Sequence, residues 1–186
     1  MTLFPLNCQW QDLWLFKFAQ VGLRQGEGLM GLFDKKNSSN ALHGKVEKLL
    51  AEALPDVSFN NEGPGAWGAR NESVLVKVVV DTESFPDQPY VDVIAFVLIN
   101  VKDDIKIYKY LMTEKSYIFN KWEVEPGEGN GTVNIYLVAR VLIEDLDASE
   151  LNFAIMSTAM IADGIDEEIQ KEFGGKRCIE YFGWEE

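Results

Sequence analysis

Two consecutive apolar runs constrain this fold more than any other feature. Residues 73–81 and 90–99 are continuous stretches rich in valine and isoleucine, which is typical of strands buried on both faces of a sheet. Residues 132–143 form a third and longer run, and the patterns of residues 106–112 and 117–124 predict two further strands. Short connections between consecutive strands favour an antiparallel meander.

Apolar side chains also recur at helical spacing before and after these strands. The first helix is predicted between Asn40, as its N-cap, and Pro55. The second opens with Asp147-Ala-Ser-Glu150, which has the form of a capping box, and ends at Gly174-Gly175. Its apolar stripe consists of Leu151, Ile155, Ala159, Ala162, Ile165, Ile169 and Phe173. The sequence therefore predicts an α+β protein, with an antiparallel sheet of about five to six strands flanked by an N-terminal helix and a long C-terminal helix.

Three segments are predicted along the chain. Residues 1–40 form an N-terminal extension that ends in a small, polar linker at residues 34–40; residues 41–175 form the α+β domain; residues 176–186 form a C-terminal tail. The stretch from Trp10 to Leu23 is too short and too interrupted by polar residues to span a bilayer, so no integral membrane segment is expected. Residues 1–29 are either an N-terminal helix, which packs on the domain or on a membrane surface, or sequence upstream of a true start at Met30.

Charge and cysteine content limit the partners. The formal net charge of -13 disfavours nucleic acid and anionic membranes. From residue 141 onward, twelve acidic residues stand against three basic ones. This excess is either the solvated face of a helix or a docking surface for a basic partner. The only cysteines, Cys8 and Cys178, lie at opposite ends of the chain, which favours the reducing cytoplasm.

The sequence contains no pattern that predicts catalysis. His43 is the only histidine, and neither a zinc-ligand spacing, a nucleophile elbow nor a P-loop occurs. We therefore expect a protein that is not an enzyme, with no catalytic residue, no metal and no cofactor.

Aromatic residues give the most suggestive pattern for binding. Six of them fall on three neighbouring predicted strands, and they are Tyr108, Tyr110, Tyr117, Phe119, Trp122 and Tyr136. Two interpretations are open: these side chains are core beneath a helix, or they form a platform for a partner peptide, since tyrosine and tryptophan offer apolar area with a polar tip.

The C-terminal half resembles the YbjN family, which is similar in fold to class I type III secretion chaperones. The resemblance is carried by Tyr117-Ile-Phe-Asn-Lys-Trp-Glu123, the run Val133 to Val141, Leu146-Asp-Ala-Ser-Glu-Leu151, Ala162-Asp163 and Phe173-Gly-Gly175. It implies chaperone-like binding of a protein or peptide, often by a homodimer, and it brings no catalytic residues.

Two hypotheses of different class follow. A non-catalytic, chaperone-like binding module predicts an exposed apolar patch rimmed by acids. The alternative, a small enzyme or ligand-binding protein with an undiagnostic pocket, predicts a deep enclosed pocket with convergent polar groups.

Overall fold

Six antiparallel strands form a single sheet in the computed structural model, which describes residues 29–113 and 115–184. The strands are β1 (Asn60–Gly63), β2 (Ala66–Asn71), β3 (Val74–Asp81), β4 (Tyr90–Lys102), β5 (Lys121–Pro126) and β6 (Thr132–Leu142). The helices are α1 (Leu29–Ala53), α2 (Ile105–Thr113), α3 (Ala148–Phe173) and α4 (Cys178–Phe182). The chain divides into two compact units, residues 1–36 and 37–186, and the sheet belongs to the second.

The two apolar runs form the centre of the sheet, as their composition predicts. β3 pairs with β4, and β4 pairs on its other side with β6, so that β4 is hydrogen-bonded along both edges. Val78 and Val93, which are partners in this register, are fully buried. The predicted α+β fold, with its antiparallel sheet, N-terminal helix and long C-terminal helix, is confirmed.

Residues 106–112 are helical, and the strand predicted there is wrong. The buried side chains of α2 are Ile107, Tyr110 and Leu111, which follow the three- and four-residue spacing of a helix. Asp104 starts the helix, since its Oδ1 accepts from the Lys106 N–H at 2.9 Å and its carbonyl oxygen accepts from the Ile107 N–H at 3.1 Å. An alternating pattern over seven residues fits both the two-residue period of a strand and the 3.6-residue period of a helix. The Asp104 cap favours the helix.

The strand order also departs from a simple meander. The sheet runs β1-β2-β3-β4-β6-β5, so β6 lies between β4 and β5. After β4 the chain passes through α2 and forms β5 at the edge of the sheet. It then returns as β6, which fills the position between β4 and β5. The strand predicted at residues 117–124 begins only at Lys121, and residues 117–120 lie in the preceding loop.

Two segments rich in small or turn-forming residues are regular. Residues 60–68 contain the β1-β2 hairpin, in which Gly65 takes a positive φ of 73° at the turn. Residues 34–40, predicted as a linker, are helical, because α1 already begins at Leu29. The alternatives for residues 1–28 lie outside the described residues.

α3 packs the predicted apolar stripe onto the sheet. Its side chains Leu151, Ile155, Ala159 and Ile169 are buried in the main core cluster, together with Val46 and Leu50 of α1. Asp147 is the N-cap, with its Oδ1 accepting from the Glu150 N–H at 2.7 Å. Within residues 29–113 and 115–184, no helix is long and apolar enough to cross a membrane.

Candidate functional site

A row of exposed apolar side chains lies on the outer face of α3. Phe153, Met156 and Met160 are 54%, 37% and 65% exposed. Their spacing of three and four residues places them on one side of the helix, away from the buried stripe that packs on the sheet. The first half of α3 is therefore apolar on two faces, and only one of them is covered.

This row forms one wall of an open groove of about 720 Å³. The end of α1 contributes Glu52 and Ala53, and α3 contributes Ala148, Ser149, Asn152, Phe153, Met156, Ser157 and Met160. We call this the α3 groove. Two of its four polar side chains are already engaged: Asn152 donates to the Ala53 carbonyl at 2.6 Å, and Ser157 donates to the Ala154 carbonyl at 3.3 Å. The groove consequently offers apolar contact more than free hydrogen-bonding groups.

The loop before β5 extends this apolar surface. Phe119 is 68% exposed and packs edge-on against Phe153, with ring centroids 5.5 Å apart. Its neighbour Asn120 is buried, and its side-chain amide donates to the Thr158 hydroxyl at 2.7 Å. Because Thr158 in turn donates to the Ala154 carbonyl at 2.6 Å, the loop is fixed to α3 and holds Phe119 beside the groove.

The six aromatic residues predicted from the sequence do not share one sheet face. Tyr108 and Tyr110 lie on α2, Tyr117 and Phe119 lie in the following loop, Trp122 lies on β5 and Tyr136 lies on β6. Only Phe119 contacts the α3 groove through its ring pair with Phe153. The prediction that these residues lie on neighbouring strands is therefore wrong, because residues 106–112 form α2 and not a strand. Their role in partner binding stays a prediction.

Several of these aromatic side chains have structural partners. The Tyr110 hydroxyl donates to Glu168 Oε1 at 2.7 Å, and Tyr136 packs edge-on against Phe96 at 4.9 Å. Burial raises the pKa of Tyr110 and of Tyr136 to about 12, so both phenols stay protonated near neutral pH. The half-buried Trp122 donates its Nε1–H to the Lys115 carbonyl at 2.6 Å, which ties β5 to the loop before it.

The sequence patterns described above do not single out the residues of the α3 groove. Phe153, Met156 and Met160 interleave with the buried stripe of α3. The available signal was a second apolar line on the same helix, because a helix that covers one face of a sheet normally carries polar residues opposite. His43, by contrast, has a local structural role: its Nε2 lies 3.1 Å from the Ser39 hydroxyl.

A buried carboxyl pair joins β3 to α3. The Ser73 hydroxyl oxygen lies 2.5 Å from both Asp163 Oδ1 and Asp166 Oδ2, and the Ser73 N–H donates to Asp163 Oδ1 at 3.0 Å. Since a hydroxyl carries one proton, it donates to one carboxylate at a time, and a hydrogen bond to the other requires a proton on that carboxyl. Burial raises the pKa of Asp166, whose Oδ1 finds no hydrogen-bond donor among the described residues. The pair is therefore a structural connection, and as the pH falls Asp166 takes up its proton at a higher pH than an ordinary carboxyl does.

Replacing Asp166 should change how stability depends on pH. A folded-state pKa above the usual 3.8 means that this group favours folding at low pH, and that its contribution is lost as pH rises through the folded pKa. In Asp166→Asn the amide donates to Ser73 at every pH, so the free energy of unfolding should fall less between about pH 4 and about pH 7 than in the unaltered chain. Urea unfolding across that range measures the difference, and identical slopes would contradict the raised pKa of Asp166.

The thiol of Cys178 is unreactive in this fold. Cys178 is fully buried, its thiol donates to the Phe96 carbonyl at 3.4 Å, and burial raises its pKa to about 12. Among residues 29–113 and 115–184, no group of three His, Cys, Asp or Glu side chains is placed to hold a metal ion.

The described part of the chain is an α+β structure whose long helix α3 leaves an apolar groove uncovered. The chain matches the family TY-Chap1, described as "T3SS (YopN, CesT) and YbjN peptide-binding chaperone 1", over residues 40–181. It belongs to this family of peptide-binding chaperones, and the resemblance read from the sequence is confirmed. No curated protein matches the chain.

Solved structures to which this chain is similar include three with sequence identities of 20% or less. The ExsC–ExsE complex is 20% identical, with a TM-score of 0.48, and the match covers 68% of this chain and 94% of that one. The Yersinia pestis type III secretion chaperone SycH, in complex with a fragment of YscM2, is 12% identical, with a TM-score of 0.46 and coverage of 66% and 98%. YbjN from E. coli is 14% identical, with a TM-score of 0.47 and coverage of 68% and 93%.

Proposed function

We propose that this chaperone binds its partner polypeptide in the α3 groove and does not transform it chemically. The observation that carries the proposal is the row of Phe153, Met156 and Met160, which stays exposed although the opposite face of the same helix is core. When a partner covers large apolar side chains around a groove and excludes water from them, the free energy of the complex is lowered. Methionine adapts its shape to different partners, which suits a chaperone.

The groove is open along α3, which supports a polypeptide segment over a small enclosed ligand. Asn152 and Ser157, two of the four polar side chains that line it, are bonded to backbone carbonyls. A binding site for a small polar molecule instead needs convergent, unengaged polar groups. This supports the non-enzymatic role that is typical of a chaperone family.

Photo-crosslinking tests the site. A benzophenone amino acid in place of Met160 should crosslink to a bound polypeptide in cells that express the full chain, because that side chain lies on the groove wall. The same amino acid in place of Lys171, an exposed residue about three turns further along α3, is the matched control and should not crosslink. Truncating one central interface aromatic typically costs about 2 kcal/mol or more, so Phe153→Ser should reduce the Met160 crosslink by more than about tenfold. Equal crosslinking from both positions would contradict the groove as the site.

We also propose that the chain works as a homodimer in the cytoplasm. α2 exposes Ile105 and Met112 on one face, apart from the α3 groove, which supports contact with a second copy. The buried, unpaired Cys178 supports a reducing compartment. Sedimentation equilibrium of the purified chain should give twice the mass of one chain, and a monomer mass would contradict the dimer.

A further inference from the structure

We propose that the occupant of the α3 groove is an amphipathic helix of the partner, with lysine or arginine residues beside its apolar stripe. This rests on the proposed function and adds the chemistry of the bound segment. The hydrogen bonding of the groove walls selects a helix, and the charge around the groove selects its polar residues.

The groove walls offer few groups that could pair with an extended backbone. At the end of α1, the carbonyl oxygens of Leu50, Ala53 and Leu54 accept from the Leu54 N–H, the Asn152 amide and the Val57 N–H. The other groove residues belong to α3. From Asn152 onward their backbone groups bond within the helix, and only Ala148 and Ser149, in its first turn, have N–H groups without a carbonyl partner there. An extended segment would therefore bury its own N–H and C=O groups without partners, at a cost of about 1–3 kcal/mol each. A helix satisfies those groups internally and can present only side chains to the groove.

The length and spacing of the groove fit about three turns of such a helix. From Ser149 to Met160, α3 rises by roughly 16 Å at about 1.5 Å per residue. Phe153, Met156 and Met160 provide apolar surface over the second and third of these turns. A partner helix meets such a surface through apolar residues at positions i, i+3 or i+4, and i+7.

The charge beside the groove is negative. Glu52 lines the groove itself, and four further exposed acids lie on the segment that leads into α3 and on its first turn, namely Glu144, Asp145, Asp147 and Glu150. Lys45 lies beside this segment, but its Nζ donates to the carbonyl oxygens of Ile143 and Glu144, at 2.6 and 2.9 Å. The chain as a whole carries a formal charge of -13. Lysine or arginine beside the apolar stripe of a partner would complement this potential, and acidic residues there would be repelled.

Three fluorescein-labelled model peptides of about fourteen residues test both parts of the inference against the full chain. All share one apolar stripe at i, i+3 and i+7. The first carries lysines beside the stripe, the second carries glutamates there, and the third repeats the lysine peptide with two prolines that prevent a helix. Fluorescence anisotropy at low salt should show that the lysine peptide binds at least about tenfold more tightly than either of the others, and that the gap from the glutamate peptide shrinks at high salt.

Two variants of the chain separate the partner chemistry from the site. Glu52→Lys combined with Glu150→Lys should remove most of the preference for the lysine peptide over the glutamate peptide, whereas Phe153→Ser should weaken every peptide that binds. Equal binding of the lysine and glutamate peptides, still lost in Phe153→Ser, would overturn the charge inference and leave the groove as the binding site. Binding that is unchanged in Phe153→Ser would overturn the groove, and with it the proposed function.

Other occupants have their own signatures in the same experiments. Equally tight binding of the proline-containing peptide would show that the groove takes an extended chain. A fourth peptide, with the sequence of residues 10–23 of this protein, carries one acidic and one basic residue. Tighter binding of that peptide than of the lysine peptide would identify the chain's own N-terminal sequence as the occupant. Dissociation of a dimer by Phe153→Ser, seen in sedimentation, would identify a second copy. Each of these three results would overturn the proposal.

Discussion

A chain that ends at Gly175 is expected to be less stable than the full chain by about 3–5 kcal/mol, because the last residues contribute to the sheet and to the core. Ile99 and Lys176 exchange two backbone hydrogen bonds, with N···O distances of 2.8 and 2.9 Å. Cys178 and Ile179 of α4 are buried, and the Ile179 N–H donates to the Ser73 carbonyl at 3.2 Å. A chain that lacks only Glu185 and Glu186 is the control and should match the full chain in urea unfolding.

The close approach of Gly175 to β4 explains why this segment can pair there. Gly175 has a positive φ of 88°, and a Cβ at this position would lie 2.6 Å from Val101 Cγ2 and 3.1 Å from the Ile99 carbonyl oxygen. Only glycine combines that backbone conformation with that separation. Equal urea midpoints for the chain ending at Gly175 and the full chain would show that residues 176–186 are the tail predicted from the sequence.

Adjacent substitutions on α3 should have opposite outcomes for stability and binding. Ile155→Ala removes a side chain that is 4% exposed in the core, and it should lower the free energy of unfolding by about 2–4 kcal/mol through the cavity it leaves. Met156→Ala removes a side chain from the groove wall, so it should lower stability by less than about 1 kcal/mol. Chemical denaturation of both variants measures the contrast.

The same two variants distinguish core from binding surface by their effect on the lysine peptide. Met156→Ala should weaken its binding, while Ile155→Ala, assayed where the variant remains folded, should bind it as tightly as the unaltered chain. If Met156→Ala proved as destabilising as Ile155→Ala, the outer face of α3 would be part of the core, and it would not be a free binding surface.

The sequence by itself determined the elements whose signal extends over many residues. The valine- and isoleucine-rich runs that became β3 and β4 are buried on both faces along most of their length, as continuous apolar stretches in the centre of a sheet are expected to be. α3 repeats its apolar stripe over seven turns between the Asp147 cap and Gly174. The YbjN resemblance added the class of protein, because the residues that carry it are mainly packing residues of these same elements.

Only the tertiary structure decided the short and the long-range features. Seven residues of alternating pattern fit strand and helix alike, so α2 depended on the Asp104 cap and on which side chains the core accepted. The position of β6 between β4 and β5 depends on pairing between distant segments, which no local pattern encodes. Phe153 and Met156 are chemically as apolar as Leu151 and Ile155 beside them. Which of them is core and which is binding surface depends on what packs against each face of α3, and the sheet covers only one.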